Sequence, residues 1–207
     1  MTRIKLCGMT RHCDIEAANE LLPEYIGFVF AKKSRRYIPV ETAKMLRQRL
    51  DPGILAVGVF AREAPELVAE LLINGVIDIA QLHGGEDQTY VKRLRTMTDK
   101  PIIQAFRVES ANDLELARNS TANYILLDHG SGGTGELFNW SLLRGFERPF
   151  FLAGGLSQEN VTEAVATLHP FAVDVSSGIE TDGVKDCVKM KGFVESVRSA
   201  SEEEERR

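Results

Sequence analysis

The chain has 207 residues, of which 43% are hydrophobic and 27% charged, the composition of an ordinary globular protein with a core of its own. Its formal net charge of -5, with no basic patch and no apolar run of bilayer length, argues against nucleic-acid and membrane partners, and no signal-peptide pattern opens the chain. The three cysteines have no zinc-site spacing and are odd in number, which indicates a reducing compartment, so we expect a cytoplasmic protein.

The first predicted strand, residues 3–7, alternates polar and apolar side chains and ends on Cys7. Gly8 breaks the pattern, and Thr10 is placed to cap a helix over residues 11–22. A thiol at the carboxyl end of a strand lies where α/β folds keep their chemistry. The alternative is that the cysteine is a small buried apolar residue, which is the commoner role.

The same strand and helix pattern recurs along the rest of the chain. Near-continuous apolar runs, typical of parallel strands buried on both faces, predict strands over residues 25–30, 54–60, 77–82, 101–108, 123–127, 149–153 and 171–175. Helices are predicted over residues 39–50, 65–74, 86–97 and 185–197, and after caps at Ser110, Asn139 and Ser157. The glycine-rich connection at residues 130–135 is expected to act as a mobile lid.

Eight such units without a linker predict an α/β fold, a single (β/α)8 TIM barrel over residues 1–200. Residues 201–207 are expected to form a charged, frayed tail. A doubly wound open sheet is the alternative, but that fold normally has fewer strands.

In a barrel of this kind, residues at the carboxyl ends of the strands surround the mouth. Cys7 ends the first strand and Asp128 follows the sixth, so the two are three strands apart around the ring and face each other. The thiolate could act as a base and the protonated carboxyl as an acid, provided that the pKa of the thiol is lowered and that of the carboxyl raised. A helix cap or a loop hydrogen bond is the alternative role for Asp128.

Small residues follow the last two strands: Gly154 and Gly155 after the seventh, and Ser176, Ser177 and Gly178 after the eighth. This pair of loops is the usual phosphate site of the fold, because backbone N–H groups and helix dipoles favour an anion there. The alternative is that both loops are simply tight turns.

Three further side chains are candidates for ligand binding. Arg36 follows the second strand within a basic loop, and it could bind a carboxylate through two hydrogen bonds or be solvated surface. Gln81 and His83 lie at the end of the fourth strand, where His83 could contact a ligand or belong to a turn. Because no second ligand accompanies His83 at a suitable spacing, we expect no metal site.

Nine segments, in this order, together resemble the phosphoribosylanthranilate isomerase family. They are KLCGMT at 5–10, GFVF at 27–30, KSRRYI at 33–38, QLHG at 81–84, LLD at 126–128, GGTG at 132–135, FNW at 138–140, AGGL at 153–156 and DVSSGIE at 174–180. The resemblance extends over essentially the whole chain apart from the acidic tail.

The resemblance implies an Amadori rearrangement of N-(5-phosphoribosyl)anthranilate to the 1-deoxyribulose phosphate in tryptophan biosynthesis. It implies that Asp128 protonates the ring oxygen, that Cys7 removes the proton from C2 of the sugar, and that Arg36 holds the anthranilate carboxylate. The substrate-binding residues that it implies are completed by Gln81, His83, Gly154, Gly155, Asp174, Ser176, Ser177 and Gly178. It implies no cofactor and no metal, and the partner is the small-molecule substrate.

Other readings of the sequence stay open. A histidine-pathway isomerase on the same fold would be expected to have an aspartate in place of Cys7, and a pentose-phosphate epimerase would need several metal ligands. A thiol redox enzyme lacks an evident resolving cysteine, since Cys13 is expected on the first helix, outside the mouth. A non-catalytic phosphate-binding module would have no use for Cys7 and Asp128. The sequence allows either a monomer or a homodimer.

Overall fold

The computed structural model describes residues 1–128, 140–143 and 145–205. Eight parallel strands form a closed barrel in which each strand pairs with the next along the chain and the last pairs with the first. Their bounds are β1 Arg3–Cys7, β2 Tyr25–Val29, β3 Leu55–Phe60, β4 Ile79–Leu82, β5 Ile102–Arg107, β6 Tyr124–Asp128, β7 Phe150–Ala153 and β8 Ala172–Val175. The prediction of a (β/α)8 barrel is confirmed, and the open sheet is excluded because the pairing of β8 with β1 closes the ring and leaves no edge strand among the eight.

Seven α-helices lie between or after the strands in the part of the chain that the structure describes. They are α1 His12–Leu21, α2 Val40–Arg47, α3 Pro65–Ile73, α4 Gln88–Arg95, α5 Ala111–Arg118, α6 Val161–Leu168 and α7 Cys187–Glu205. Between β6 and β7 the described residues form a 3-10 helix, Trp140–Leu143. A small hairpin that was not predicted, β9 Glu180–Thr181 and β10 Val184–Lys185, follows β8. No helix in these described ranges is long and apolar enough to cross a membrane.

Alternate residues of the strands form two packed layers. Ile4 and Leu6 of β1 belong to the large cluster that the strands share with the helices. The barrel interior is filled by a second cluster that includes Tyr25, Val57 and Phe151, with the rings of Tyr25 and Phe151 5.3 Å apart. Because this interior is packed, a ligand site must lie outside it, and in this fold the functional site lies at the carboxyl ends of the strands.

Two of the three predicted helix caps that the structure describes are wrong. The first helix has Arg11 rather than Thr10 as its N-cap, and Asp14 accepts hydrogen bonds from both of their backbone N–H groups at 2.9 Å. The helix expected after Ser157 begins only at Val161, with Asn160 as its N-cap. At the first helix, Asp14 satisfies the free backbone donors. At the second, the Asn160 side chain accepts a hydrogen bond from the N–H of Ser157 at 2.9 Å, so Ser157 belongs to the turn before the helix.

The cap at Ser110 is confirmed, with Asp113 completing a capping box. Asn139 and the glycine-rich connection at residues 130–135 lie outside the described residues.

The last helix differs from its prediction at both ends. Because Lys185 is in β10, α7 begins at Cys187, and it continues to Glu205, well past the expected end near Val197. Ser201, which we expected to open a frayed tail, is buried, and its hydroxyl oxygen accepts a hydrogen bond from the N–H of Thr2 at 3.1 Å. Helix α7 thus continues through residue 200, where we expected the tail to begin, and Ser201 packs next to the start of β1.

Candidate active site

A cavity of about 440 Å³ opens at the carboxyl ends of the barrel strands. Cys7 at the end of β1 and Asp128 at the end of β6 both line it, and they are separated by the three strand steps that the sequence predicts. The other predicted site residues in its wall are Arg36, Gln81, His83, Gly154, Gly155, Asp174, Ser176 and Ser177. The fold thus brings together residues that are distant in sequence.

Cys7 is held closely against the barrel wall. It is 7% exposed and packs with Val29 of β2 and Val59 of β3. Its register partner on β2 is Gly27, where an added Cβ would lie 2.6 Å from the sulfur. A side chain at position 27 would therefore displace the thiol, so this glycine fixes where the sulfur can lie.

A fully buried lysine lies beside the thiol. Lys5 precedes Cys7 by two residues on β1, so both side chains point to the same face of the strand. Its ammonium donates a hydrogen bond to Oδ1 of Asp174 on β8 at 2.9 Å, and its charge lowers the pKa of the Cys7 thiol. The candidate residues predicted from the sequence do not include Lys5, although its position two residues before Cys7 was a usable signal.

The charges around Cys7 oppose one another. Burial raises the pKa of the thiol, Lys5 lowers it, Asp174 raises it and Lys185 lowers it, and the pKa ends above its ordinary value. The expectation of a lowered thiol pKa is therefore wrong for this structure, because burial outweighs the two ammonium groups. Burial lowers the pKa of Lys5, but Asp174 and Cys7 outweigh it, so the pKa of Lys5 is raised and its side chain stays charged.

Replacing Lys5 with methionine should slow the alkylation of Cys7 by iodoacetamide several-fold at pH 8 and move the rate profile to higher pH. The thiolate is the reactive form, and the variant removes the nearest cation while leaving the Asp174 carboxylate in place. The rates are to be measured in a background with Cys13 and Cys187, both exposed, changed to serine. The control is the double variant Lys5→Met with Asp174→Asn, in which the pH profile of the alkylation rate should shift less than in Lys5→Met alone. Identical pH profiles for the unaltered protein and both variants would contradict this role of Lys5.

A chain of hydrogen bonds leads to Asp128. Nε2 of His83 is 3.1 Å from Oδ2 of Asp128, and Nδ1 of His83 is 3.0 Å from Nε2 of Gln81. With the Gln81 amide oriented in this way, its nitrogen can only donate, so Nδ1 accepts and Nε2 carries the proton that is donated to Asp128. Gln81 is buried, and its Oε1 has no hydrogen-bond partner in the described part of the chain. The arrangement holds one oxygen of Asp128 and leaves the other for a ligand.

The glycine loops form a different part of the wall. Gly154 and Gly155 have φ angles of 95° and 66°, which L side chains rarely adopt. Gly178 does not line the cavity; a Cβ on it would lie 2.0 Å from the carbonyl oxygen of Leu156. Its place in the predicted substrate-binding set is therefore indirect, because it lets the loop after β8 approach the loop after β7.

Arg36 reaches the cavity but is already engaged by a carboxylate. Its Nε donates to Oε1 of Glu180 at 2.6 Å, and its Nη2 donates to Oε2 at 2.9 Å. Burial raises the pKa of Glu180, but its hydrogen bonds to Arg36 and Lys185 outweigh burial, so the pKa is lowered and the group is ionised. Neither Glu180 nor Lys185 was predicted as a site residue, because both belong to the hairpin that the sequence pattern did not reveal.

Within the described ranges, no group of three or more His, Cys, Asp or Glu side chains could hold a metal ion. The chemistry that the cavity offers is that of a thiol, a carboxyl group, an imidazole and several fixed cations.

The family model that matches this chain and a relative of similar sequence carry the same name. A family model described as N-(5'phosphoribosyl)anthranilate (PRA) isomerase matches residues 4–196. The N-(5'-phosphoribosyl)anthranilate isomerase of Thermoanaerobacter sp. (strain X514) is 45% identical over 204 residues, which cover 96% of this chain and 98% of that protein.

Solved structures give the same result. The phosphoribosyl anthranilate isomerase of Thermotoga maritima is 36% identical, with a TM-score of 0.86 over 96% of this chain and 100% of that one. A phosphoribosyl anthranilate isomerase in complex with reduced 1-(o-carboxyphenylamino)-1-deoxyribulose 5-phosphate is 35% identical, with a TM-score of 0.84 and coverage of 96% and 100%. The sequence match over nearly the whole chain, together with the shared barrel, shows that this chain belongs to the N-(5'-phosphoribosyl)anthranilate isomerase family.

Proposed function

We propose that this protein converts N-(5'-phosphoribosyl)anthranilate into 1-(2-carboxyphenylamino)-1-deoxyribulose 5-phosphate, a step of tryptophan biosynthesis, without a cofactor. Membership of the family supports the reaction. The single structural observation that carries the proposal is the presence of Cys7 and Asp128 in the wall of one cavity, three strands apart. A substrate between them would meet a base and an acid from different directions.

The two ends of the proposed substrate are both anionic, and the cavity has a matching group for each. Arg36 offers a guanidinium for the carboxylate, which it can bind through two hydrogen bonds. The backbone of Gly154 and Gly155, with Ser176 and Ser177, offers hydrogen-bond donors for the phosphate. Local donors are needed because the net charge of -5 does not attract an anion to the protein.

In the proposed mechanism, Asp128 gives its proton to the ring oxygen of the sugar. The bond between this oxygen and C1 then breaks, and the nitrogen lone pair forms a protonated Schiff base with C1. Cys7 removes the proton from C2, and the electron pair of that C–H bond neutralises the Schiff base to give an enolamine. Transfer of the hydroxyl proton of the enolamine to C1 gives the ketone, so the substrate is isomerised with no net proton change. The cycle leaves Asp128 ionised and Cys7 protonated, and release of the Cys7 proton to solvent with uptake of one by Asp128 restores both groups.

The surroundings of the two groups suit these steps. His83 donates to one oxygen of Asp128, which leaves the other to carry the transferred proton. The raised pKa of Cys7 makes its thiolate a stronger base once formed, while Lys5 and Lys185 supply the positive charge that favours forming it.

Replacing Arg36 with lysine should raise the KM for phosphoribosylanthranilate about tenfold and change kcat much less. A lysine keeps the charge but cannot make the paired hydrogen bonds of a guanidinium to a carboxylate. Steady-state kinetics would measure both constants, with Arg35→Lys as the control because Arg35 is more exposed and does not line the cavity. An unchanged KM would contradict the binding of the carboxylate by Arg36.

The direct test supplies the purified protein with synthetic phosphoribosylanthranilate and follows the rearranged ketose by chromatography. EDTA is present throughout, so that turnover cannot depend on a free metal ion. We expect turnover under these conditions. If the substrate is unchanged while another phosphorylated aldose is isomerised, the protein is a different sugar-phosphate isomerase on the same fold. If no sugar phosphate is changed but one binds, it is a binding module.

We also propose the cytoplasm as the location, because Cys7, Cys13 and Cys187 are all unpaired. For the assembly, we retain a monomer or a homodimer. One similar solved structure, at 36% identity and a TM-score of 0.85, is of monomers generated from a dimeric phosphoribosylanthranilate isomerase of Thermotoga maritima. Light scattering of the purified protein would distinguish the two states.

A further inference from the structure

The buried Glu180 carboxylate is the centre of a cluster of three cations beside the cavity. Besides its two hydrogen bonds with Arg36, it accepts one from Nζ of Lys185 at 2.6 Å and one from Nη2 of Arg35 at 2.8 Å. The Glu180 side chain is 4% exposed and that of Lys185 is 2% exposed. One carboxylate therefore accepts hydrogen bonds from three cationic side chains, and the cluster has a net positive charge next to the cavity.

The geometry of the Arg36 guanidinium decides which of its edges remains available. A guanidinium has five N–H bonds, arranged so that one edge is formed by Nε with one Nη and another edge by the two Nη atoms. Glu180 takes the first edge, through Nε and Nη2. Among the described residues, Nη1 has no hydrogen-bond acceptor. The edge formed by the two Nη atoms is thus free to bind a second carboxylate through paired hydrogen bonds.

The stem of Arg36 is held as well as its head. An added Cβ at Gly8 would lie 2.6 Å from Cδ of Arg36 and 3.3 Å from Nζ of Lys185. The residue directly after Cys7 is thus a glycine with a φ of 89°, against which the arginine stem packs. The backbone of Gly8 holds the stem of Arg36, and Glu180 holds one edge of its guanidinium. The orientation of the free edge, formed by the two Nη atoms, is therefore fixed.

We propose that Glu180 is a positioning residue that turns Arg36 so that its outer edge receives the carboxylate of the substrate, and that the β9–β10 hairpin thereby determines specificity for a carboxylated aryl group. The inference rests on the proposed function, since it concerns the carboxylate of that substrate. It adds that an aryl amine without the carboxylate would gain nothing from Glu180.

The test measures binding by calorimetry with two ligands: reduced 1-(o-carboxyphenylamino)-1-deoxyribulose 5-phosphate and its phenylamino counterpart without the carboxylate. Replacing Glu180 with glutamine should weaken binding of the carboxylated ligand about tenfold. Binding of the ligand without the carboxylate should weaken by less than about threefold, because that ligand does not contact the free edge of Arg36. With phosphoribosylanthranilate as substrate, the same variant should raise KM and leave kcat near its original value.

Two further variants separate positioning from a general loss of structure. Glu180→Asp keeps the charge in case glutamine prevents folding, and it should show a smaller loss with the same dependence on the ligand carboxylate. In an Arg36→Lys background, Glu180→Gln should add little, because a residue that acts through Arg36 has no effect once the guanidinium is gone. Arg35→Gln is the matched control, since it removes another hydrogen bond to the same carboxylate, and it should weaken both ligands by less than about threefold.

The outcomes separate this inference from the proposed function. If the unaltered protein binds neither ligand and does not turn over phosphoribosylanthranilate, the proposed function fails and this inference fails with it. If the unaltered protein prefers the carboxylated ligand but the Glu180 variants weaken both ligands equally, only the positioning role is overturned. An equally carboxylate-specific loss in Arg35→Gln would also overturn it, because the net charge of the cluster would then be the cause.

Discussion

Replacing Cys7 with serine should reduce the turnover of phosphoribosylanthranilate about a thousandfold, within the range that general base catalysis contributes. The hydroxyl is nearly the same size as the thiol but is a far weaker acid, so the alkoxide needed to remove the C2 proton does not form at neutral pH. Because the sulfur is almost completely buried against Val29 and Val59, the stability of the variant has to be compared along with its rate. Rates of product formation and thermal unfolding of both proteins provide the measurement.

The other two cysteines serve as controls for this variant. Cys13 and Cys187 are exposed on α1 and α7, so Cys13→Ser and Cys187→Ser should keep full activity. A substrate deuterated at C2 adds a second readout: proton removal should become the slow step in Cys7→Ser, giving a full isotope effect. Activity near that of the unaltered protein would rule out Cys7 as the base.

The second large effect is expected for Asp128→Asn, again a loss of about a thousandfold in turnover. The amide has the shape of the carboxylic acid and its oxygen can still accept the hydrogen bond from Nε2 of His83, so the position of the side chain should be kept. What is lost is the proton that opens the sugar ring. The change therefore isolates acid catalysis from positioning, and it is measured by the same assay.

The isotope effect distinguishes the two variants. With the acid removed, ring opening should limit the rate of Asp128→Asn, and the effect of deuterium at C2 should fall toward unity. The effect should be large for Cys7→Ser, where the C–H bond itself is slow to break. If both variants gave the same isotope effect, the division of roles between Cys7 and Asp128 would be wrong even if both lost activity.

The fold was predictable because its signal is local and repeated. Each buried parallel strand is an apolar run, and each run is followed by an amphipathic stretch. The eight strand and helix units counted in this way predict the barrel. The positions of Cys7 and Asp128 followed from the same count, since the carboxyl ends of all the strands meet at one rim. The family resemblance then supplied roles for residues such as Asp174 that the spacing alone did not mark.

What could not be predicted depends on contacts between distant parts of the chain. Lys5 is a charged residue in a buried strand, and its partner Asp174 lies 169 residues later, so only barrel closure explains it. Glu180 and Lys185 lie in a hairpin with two-residue strands, too short for any periodicity to appear. The direction of the pKa shift of Cys7 was missed because it depends on the balance between burial and the two ammonium groups.

The pairing of β1 with β8 also has a consequence for the order in which the protein is made. The strand that carries Cys7 is synthesised before the other seven strands of the barrel, but its neighbour on one side, which carries Asp174, is synthesised last of the eight. Until then, Lys5 lacks its carboxylate and β1 lacks half of its hydrogen bonds, so the nascent chain cannot complete the surroundings of the thiol. Nascent chains that stop before residue 172 should therefore leave Cys7 open to alkylating reagents, and full protection should arise only with the final strand and α7.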